Sequence, residues 1–208
     1  MAITLDLRVC ELLMARLCHD FAGPIAAIGN GAELLDDDDP IFVKQAASLI
    51  GDSAATVAKR LRLFRFVYGF SAGAIAGPQP HALASEYFDG GNIACDYPAA
   101  VRELEAEWQR LACSLLLVAA EALPRGGSIA LAAGSGAVSA AAVGDGDGPS
   151  VEAIEALSLN APPATLTSRT VGAYFAGLLA KSLGCRLRVA ASPGGFRIFS
   201  EAGESEPA

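Results

Sequence analysis

The sequence predicts an α+β chain: an antiparallel helical hairpin, paired with a second copy as a dimeric four-helix bundle, followed by a two-layer α/β sandwich. Three observations carry this expectation. Apolar residues recur at helical spacing through two stretches of about 30 residues at the amino end. The segment around residues 71–81 is rich in Gly and Pro and poor in charge, as a linker is. Beyond it, short apolar runs punctuated by glycine alternate with helical patterns, which suits helices layered on hairpins.

The first helix is read from Leu5 to Leu35, with Leu13, Leu17, Phe21, Pro24, Ile28, Ala32 and Leu35 at intervals of three and four. Pro24 has no N–H and its ring crowds the preceding turn, so a kink is expected just after His19. Asp36 to Asp39 followed by Pro40 makes a break and a fresh start, because an Asp N-cap with Pro at the first helical position favours initiation. The second helix runs from Ile41 to about Tyr68, and Lys59, Arg60, Arg62 and Arg65 in its last turns are expected as a solvated basic face. A lone hairpin cannot enclose its apolar stripe, so a homodimer is expected over residues 1–70.

The second domain is expected over residues 82–202. It should contain a short helix to Phe88, a strand at Asn92–Asp96 and a single helix from Val101 to Leu123. Strands at Ser128–Ala133 and Ala137–Val143 follow, then a loop at Gly144–Pro149, a helix at Val151–Leu157 and another at Thr167–Leu183. The last hairpin is read as Arg186–Ala191 and Phe196–Ser200, turned by Pro193-Gly194-Gly195, with a disordered tail over Glu201–Ala208, of which 203–208 lie beyond the second domain.

Composition narrows the function. With 208 residues and 52% apolar content the chain can bury a real core. A formal net charge of -8 repels phosphate backbones and anionic lipid, which argues against nucleic acid or a membrane as partner. No apolar run reaches the roughly 20 residues of a spanning helix, and no basic region with a long apolar segment opens the chain, so a cytoplasmic protein is expected. The five cysteines have no C-x-x-C spacing and only two histidines to help them, so buried free thiols are expected in place of a metal site or disulfides.

One of those histidines, His19, sits within the first apolar stripe, beside Asp20 and five residues before Pro24. A neutral imidazole is a nucleophile near physiological pH, and its two nitrogens allow one to be held while the other attacks. It can take a phosphoryl group from a phosphoaspartate and hand it on. On a helix its neighbours are Ala15, Arg16, Ala22 and Gly23, with Ala26 one turn further. Most are small, so the ring should stand proud of a flat surface onto which a partner's cleft can be lowered. His81, next to the Pro-rich segment, is read as an ordinary surface residue.

His19-Asp20-x-x-x-Pro24 resembles the phosphoacceptor box of sensor histidine kinases, and the longer stretch from Leu17 through Ile28-Gly29-Asn30-Gly31 to Glu33-Leu34-Leu35 is similar to the alphaproteobacterial histidine phosphotransferases of the ChpT type. Leu115 to Gly127 resembles that family's version of the helix that carries the kinase Asn box. The resemblance implies a second domain shaped like a degenerate histidine-kinase ATPase domain. It also implies a phosphorelay role, with His19 accepting a phosphoryl group from a receiver-domain aspartate and passing it to another receiver, and Asp20 orienting the ring or accepting its proton. The implied partners are response-regulator receivers and a hybrid histidine kinase receiver.

Departures from active kinases exclude ATP chemistry in this reading. Leu116, Ala119 and Ala120 stand where Asn would coordinate magnesium, the glycines of Asp145-Gly146-Asp147-Gly148 are out of step, and Ser168 to Ala173 lacks a G-x-G lid. No cofactor is therefore expected, the Mg²⁺ belonging to the receiver. Ala15, Arg16, Ala22, Gly23 and Ala26 are the expected docking surface. The rival readings are a divergent ATP-dependent kinase, a receiver-binding dimer without chemistry, and a response-regulator phosphatase; Gly23 argues against the last, because the H-E-x-x-N/T pattern of resembling phosphatases puts an amide or hydroxyl there to position water.

Overall fold

The computed structural model describes residues 6–69, 79–134, 136–146 and 148–203. The expected linker at 71–81 lies largely outside them, and its last residues, Pro80 and His81, open a helix instead. Residues 204–208 of the expected tail also lie outside them.

Two long helices lead, α1 (Leu7–Glu33) and α2 (Pro40–Tyr68), joined by a 3-10 turn at Leu34–Asp36. Both starts are capped by aspartate: Asp6 accepts from the Arg8 N–H, and Asp39 from the Ile41 N–H at 2.8 Å with Pro40 in the first turn. The helices run antiparallel, since Phe21 meets Phe64 edge-on at 5.9 Å while Gly31 abuts Ala46 and Ile50. Gly31 marks the close crossing, because a Cβ there would come within 2.7 Å of the Ile50 side chain.

The remainder builds one sheet with helices against it. The helices are α3 (Pro80–Phe88), α4 (Ala99–Arg102), α5 (Ala106–Glu121), α6 (Val151–Leu157) and α7 (Val171–Ser182). The strands are β1 (Ile93–Asp96), β2 (Gly127–Gly134), β3 (Ala137–Val143), β4 (Cys185–Ser192) and β5 (Gly195–Ala202), in the order β1-β2-β3-β5-β4. β1 pairs parallel with β2, Ile93 opposite Gly127, and every other pairing is antiparallel. Alternation buries Ile129 and Leu131 of β2, Leu187 of β4 and Ile198 of β5, while Ala130, Arg188 and Arg197 stay exposed. The tight entry into β2 requires glycine: Gly126 has φ +92°, and a Cβ there would lie 2.4 Å from the Asn92 carbonyl.

Four expectations need correction. The single helix over 101–123 is two, α4 and α5, because the Gln109 side chain turns back and donates to the carbonyls of Arg102 and Leu104 at 3.0 and 2.8 Å, satisfying the end of α4. Glu201 and Ala202 are not tail but the end of β5, where Glu201 accepts from both Arg186 and Arg188 across the strand pair. The basic face of α2 is engaged and not merely solvated: Lys59 pairs with Asp89 at 3.0 Å and Arg62 with Glu86 at 2.6 Å, because the end of α3 docks beside it. Cys18 is exposed, whereas Cys113 and Cys185 are buried thiols as expected, and all five cysteines are free.

Hairpin and sheet share one core. Val9 of α1 and Leu63, Phe64, Phe66 and Val67 of α2 belong to the same buried cluster as Leu111, Leu115 and Leu116 of α5 and Phe175 of α7. Arginines stitch the junction. Arg8 donates to the carbonyls of Pro163 and Leu166, and Arg110 donates to Val67 and Gly69, satisfying carbonyls that the end of α2 leaves without helical partners. His81 is half-buried, its ring 6.3 Å from that of Tyr97.

Candidate functional site

His19 lies near the middle of α1 with its side chain 85% exposed. Leu13, Leu17 and Phe21 on the same helix turn toward the core, which rotates residue 19 outward. Its Nδ1 lies 3.4 Å from Asp20 Oδ1. A carboxylate can only accept, so in the neutral imidazole this contact favours the proton on Nδ1, which leaves the lone pair on Nε2. Ala15, Ala22, Gly23 and Ala26 are all exposed around it, and a Cβ built on Gly23 would meet nothing within 4 Å.

Asp20 is held from two sides. Its second carboxylate oxygen, Oδ2, accepts from Arg16 Nε at 2.9 Å, one turn back on α1. Its main-chain carbonyl would ordinarily bond the N–H of residue 24, but that residue is Pro24, which has none. Arg60 of α2 donates its Nη1 to that carbonyl. The proline that ends the motif thus creates the vacancy that ties the phosphoacceptor helix to its neighbour, and α1 continues unbroken through Pro24 to Glu33.

Arg16 is mostly buried at 22% exposure and also reaches the sheet domain, donating to Glu121 Oε1 at 2.7 Å and the Ser168 carbonyl at 3.3 Å. Burial works against its charge, yet the two carboxylates outweigh this and raise its pKa. Burial likewise pushes the Glu121 carboxyl up, against the opposing pull of Arg16. Tyr68 and Tyr87, beneath this network, are pushed up chiefly by burial and remain protonated.

Between His19 and the sheet domain opens a cleft of about 660 Å³, lined among others by Arg16, Glu121, Arg125, Asp145 and Arg169. Leu116 and Ala119, expected where a kinase carries Asn, are wholly buried in the core. Among the described residues no group of three or more His, Cys, Asp or Glu side chains is placed to hold a metal ion. Asp20 and Glu121, two of the acids that line this cleft, are both paired with Arg16.

Sequence reasoning singled out His19, Asp20, Arg16 and the small residues, and the fold brings these together on one stretch of α1. It missed Arg60, Glu121 and the Ser168 carbonyl. Pro24 carried a usable signal for Arg60, since a proline within a helix always leaves a carbonyl four residues back in want of a donor. Glu121 was hidden, because nothing in the chain order brings α5 to α1.

Fold and site together define a protein that displays an accessible, oriented imidazole on a helical hairpin fused to a mixed-sheet domain. Residues 78–195, more than half of the chain, match the family of the histidine phosphotransferase C-terminal domain, and the chain belongs to that family. Protein phosphotransferase ChpT of Brucella abortus (strain 2308) is 33% identical over 123 residues; that stretch spans 58% of this chain and 58% of the relative. A solved 1.7 Å structure of a bacterial phosphotransferase superposes with a TM-score of 0.77 at 26% identity, covering 96% of this chain and 98% of that one. The resemblance to ChpT-type phosphotransferases read from the sequence therefore stands. No helix among the described residues is long and apolar enough to cross a membrane.

Proposed function

We propose that this chain is the histidine phosphotransferase of a two-component phosphorelay, taking a phosphoryl group onto His19 from a receiver-domain aspartate and returning it to another receiver. The observation that carries this reading is the ring itself, 85% exposed, with Nδ1 engaged by Asp20. The Nε2 lone pair attacks the phosphorus of the aspartyl phosphate, so an N–P bond forms as the acyl O–P bond breaks. The electron pair of that bond leaves on the receiver's carboxylate, while the Nδ1 proton stays against Asp20. Such a transfer passes through a loose transition state in which positioning and charge neutralisation dominate. The Mg²⁺ is read as the receiver's, and Ala15, Ala22, Gly23 and Ala26 as the floor of its docking surface.

Two further parts of the reading rest on the same chain. Pairing of two hairpins into a four-helix bundle is supported by apolar side chains left in solvent along their outer halves: Ile25 at 55%, Ile41 at 67%, Phe42 at 52% and Leu49 at 40% exposure. Descent of the sheet domain from an ATPase domain that has lost its nucleotide is supported by the ligand-free chemistry of Leu116, Ala119 and Ala120.

The test is transfer of label. A panel of receiver domains charged with ³²P on aspartate should lose it to this chain as acid-labile phosphohistidine, and His19→Gln should receive none. Label that persists in His19→Gln, or labelling of the chain by Mg-ATP alone, would overturn the reading.

A further inference from the structure

We infer that Glu121, at the end of α5 in the sheet domain, is a positioning residue for chemistry at His19, acting through Arg16 and Asp20; the inference rests on the phosphotransfer reading of His19. The chain of contacts is continuous. Glu121 Oε1 accepts from Arg16 Nη2 at 2.7 Å, Arg16 Nε donates to Asp20 Oδ2 at 2.9 Å, and Asp20 Oδ1 faces His19 Nδ1 at 3.4 Å.

Geometry gives Glu121 the controlling place. An exposed Arg and Asp one turn apart on a helix wander through many rotamers and hold each other weakly. The guanidinium is a rigid planar fork, however, and once two of its nitrogens are held by Glu121 and the Ser168 carbonyl, the third is aimed. Asp20 Oδ2 is thereby pinned, and the other oxygen has one place to go, toward the ring. Among the described residues Arg16 is the ion-pair partner of Glu121, whose side chain is one-third exposed at the junction. A residue needed only for packing there would not carry a partly desolvated charge.

The consequence is a choice of tautomer. With Asp20 aimed, the proton sits on Nδ1 and the exposed Nε2 keeps its lone pair. With Arg16 released, Asp20 turns freely and the ring adopts the alternative tautomer more often, in which the exposed nitrogen carries the proton and cannot attack.

Glu121→Ala tests this directly, with circular dichroism and a melting curve showing that the junction still folds; Glu121→Gln keeps an oxygen for Arg16 and serves as the conservative variant, on which the same readouts are taken. The ring of ¹⁵N-labelled His19 is followed by NMR, and phosphoramidate, a small donor that needs no partner, reports reactivity as ammonia leaves and the N–P bond forms. The expected result in Glu121→Ala is loss of the Nδ1–H preference and a rate about tenfold lower, with both largely regained in Glu121→Gln. Unchanged tautomer populations in Glu121→Ala overturn the inference, as does a lower rate with unchanged tautomers. Failure of charged receivers to label the wild-type chain strikes the relay reading alone, since the phosphoramidate and NMR results do not depend on a receiver.

Discussion

Gly23→Ala separates what the helix wants from what the partner needs. Residue 23 is in the interior of α1, four positions beyond His19, and a Cβ there meets no atom within 4 Å apart from its chain neighbours and the backbone of its own helix. Alanine gains about 0.5–1 kcal/mol over glycine in a helix interior, but residue 23 precedes Pro24, whose ring crowds a preceding Cβ on helical backbone, so the substitution should stabilise the free protein by no more than that amount. At roughly 2–4 °C per kcal/mol for a chain of this size, the melting temperature should rise by at most about 1–4 °C. The same methyl stands where a receiver is expected to close on the imidazole, and one extra methyl in a close-packed contact costs about 1–3 kcal/mol, or roughly 5- to 150-fold. Gly51→Ala is the control: residue 51 is also in a helix with nothing within 4 Å of the added carbon, but on α2. Scanning calorimetry and phosphotransfer initial rates on both variants give the answer. A folded Gly23→Ala that accepts phosphoryl groups at the wild-type rate would show that no partner covers this surface, and a destabilised one would show that the Pro24 ring, and not the space toward solvent, limits residue 23.

The orphaned Asp20 carbonyl predicts a coupled pair: Arg60→Met should cost about 1–2 kcal/mol in urea unfolding by leaving that acceptor unsatisfied, and adding Pro24→Ala, which restores the helical N–H, should recover most of the loss. Independent, additive effects would refute the coupling. Burial pushes the Cys113 thiol up to about 12, whereas Cys18 is exposed, so maleimide at pH 7 should modify Cys18 and spare Cys113 until the protein unfolds. Modification of native Cys113 as fast as Cys18 would contradict the packing of α5. Hydrogen bonds from Arg188 and Arg186 hold the Glu201 carboxyl below its ordinary value of 4.5. The unfolded chain therefore binds the proton more readily, and this contribution to stability is present above pH 4.5 and lost as pH falls through the lower folded value. Glu201→Gln should flatten the acid limb of the stability curve, and an unchanged slope would count against the cross-strand pairing.

Much of this fold was legible because its signals are local. Asp39-Pro40 announces a helix start, the Leu13-Leu17-Phe21 spacing turns His19 outward, and Pro193-Gly194-Gly195 turns the last hairpin. What escaped depends on encounters between distant segments. The split at residues 103–105 follows from Gln109 folding back on α4, which periodicity does not register. The basic residues of α2 looked like a solvated face until α3 and Asp20 supplied partners. Glu121 reads as an ordinary helix-end acid, and only the meeting of α5 with α1 places it against Arg16.

The central claim is that His19 carries a phosphoryl group borrowed from a receiver. A single-turnover reaction between purified ³²P-receiver and this chain, quenched in alkali and mapped by mass spectrometry, addresses it most directly. The account predicts label on Nε2 of His19, none in His19→Gln, and return of the label to a second, unphosphorylated receiver. Label on any other residue, or no transfer from any receiver of a broad panel, would contradict it.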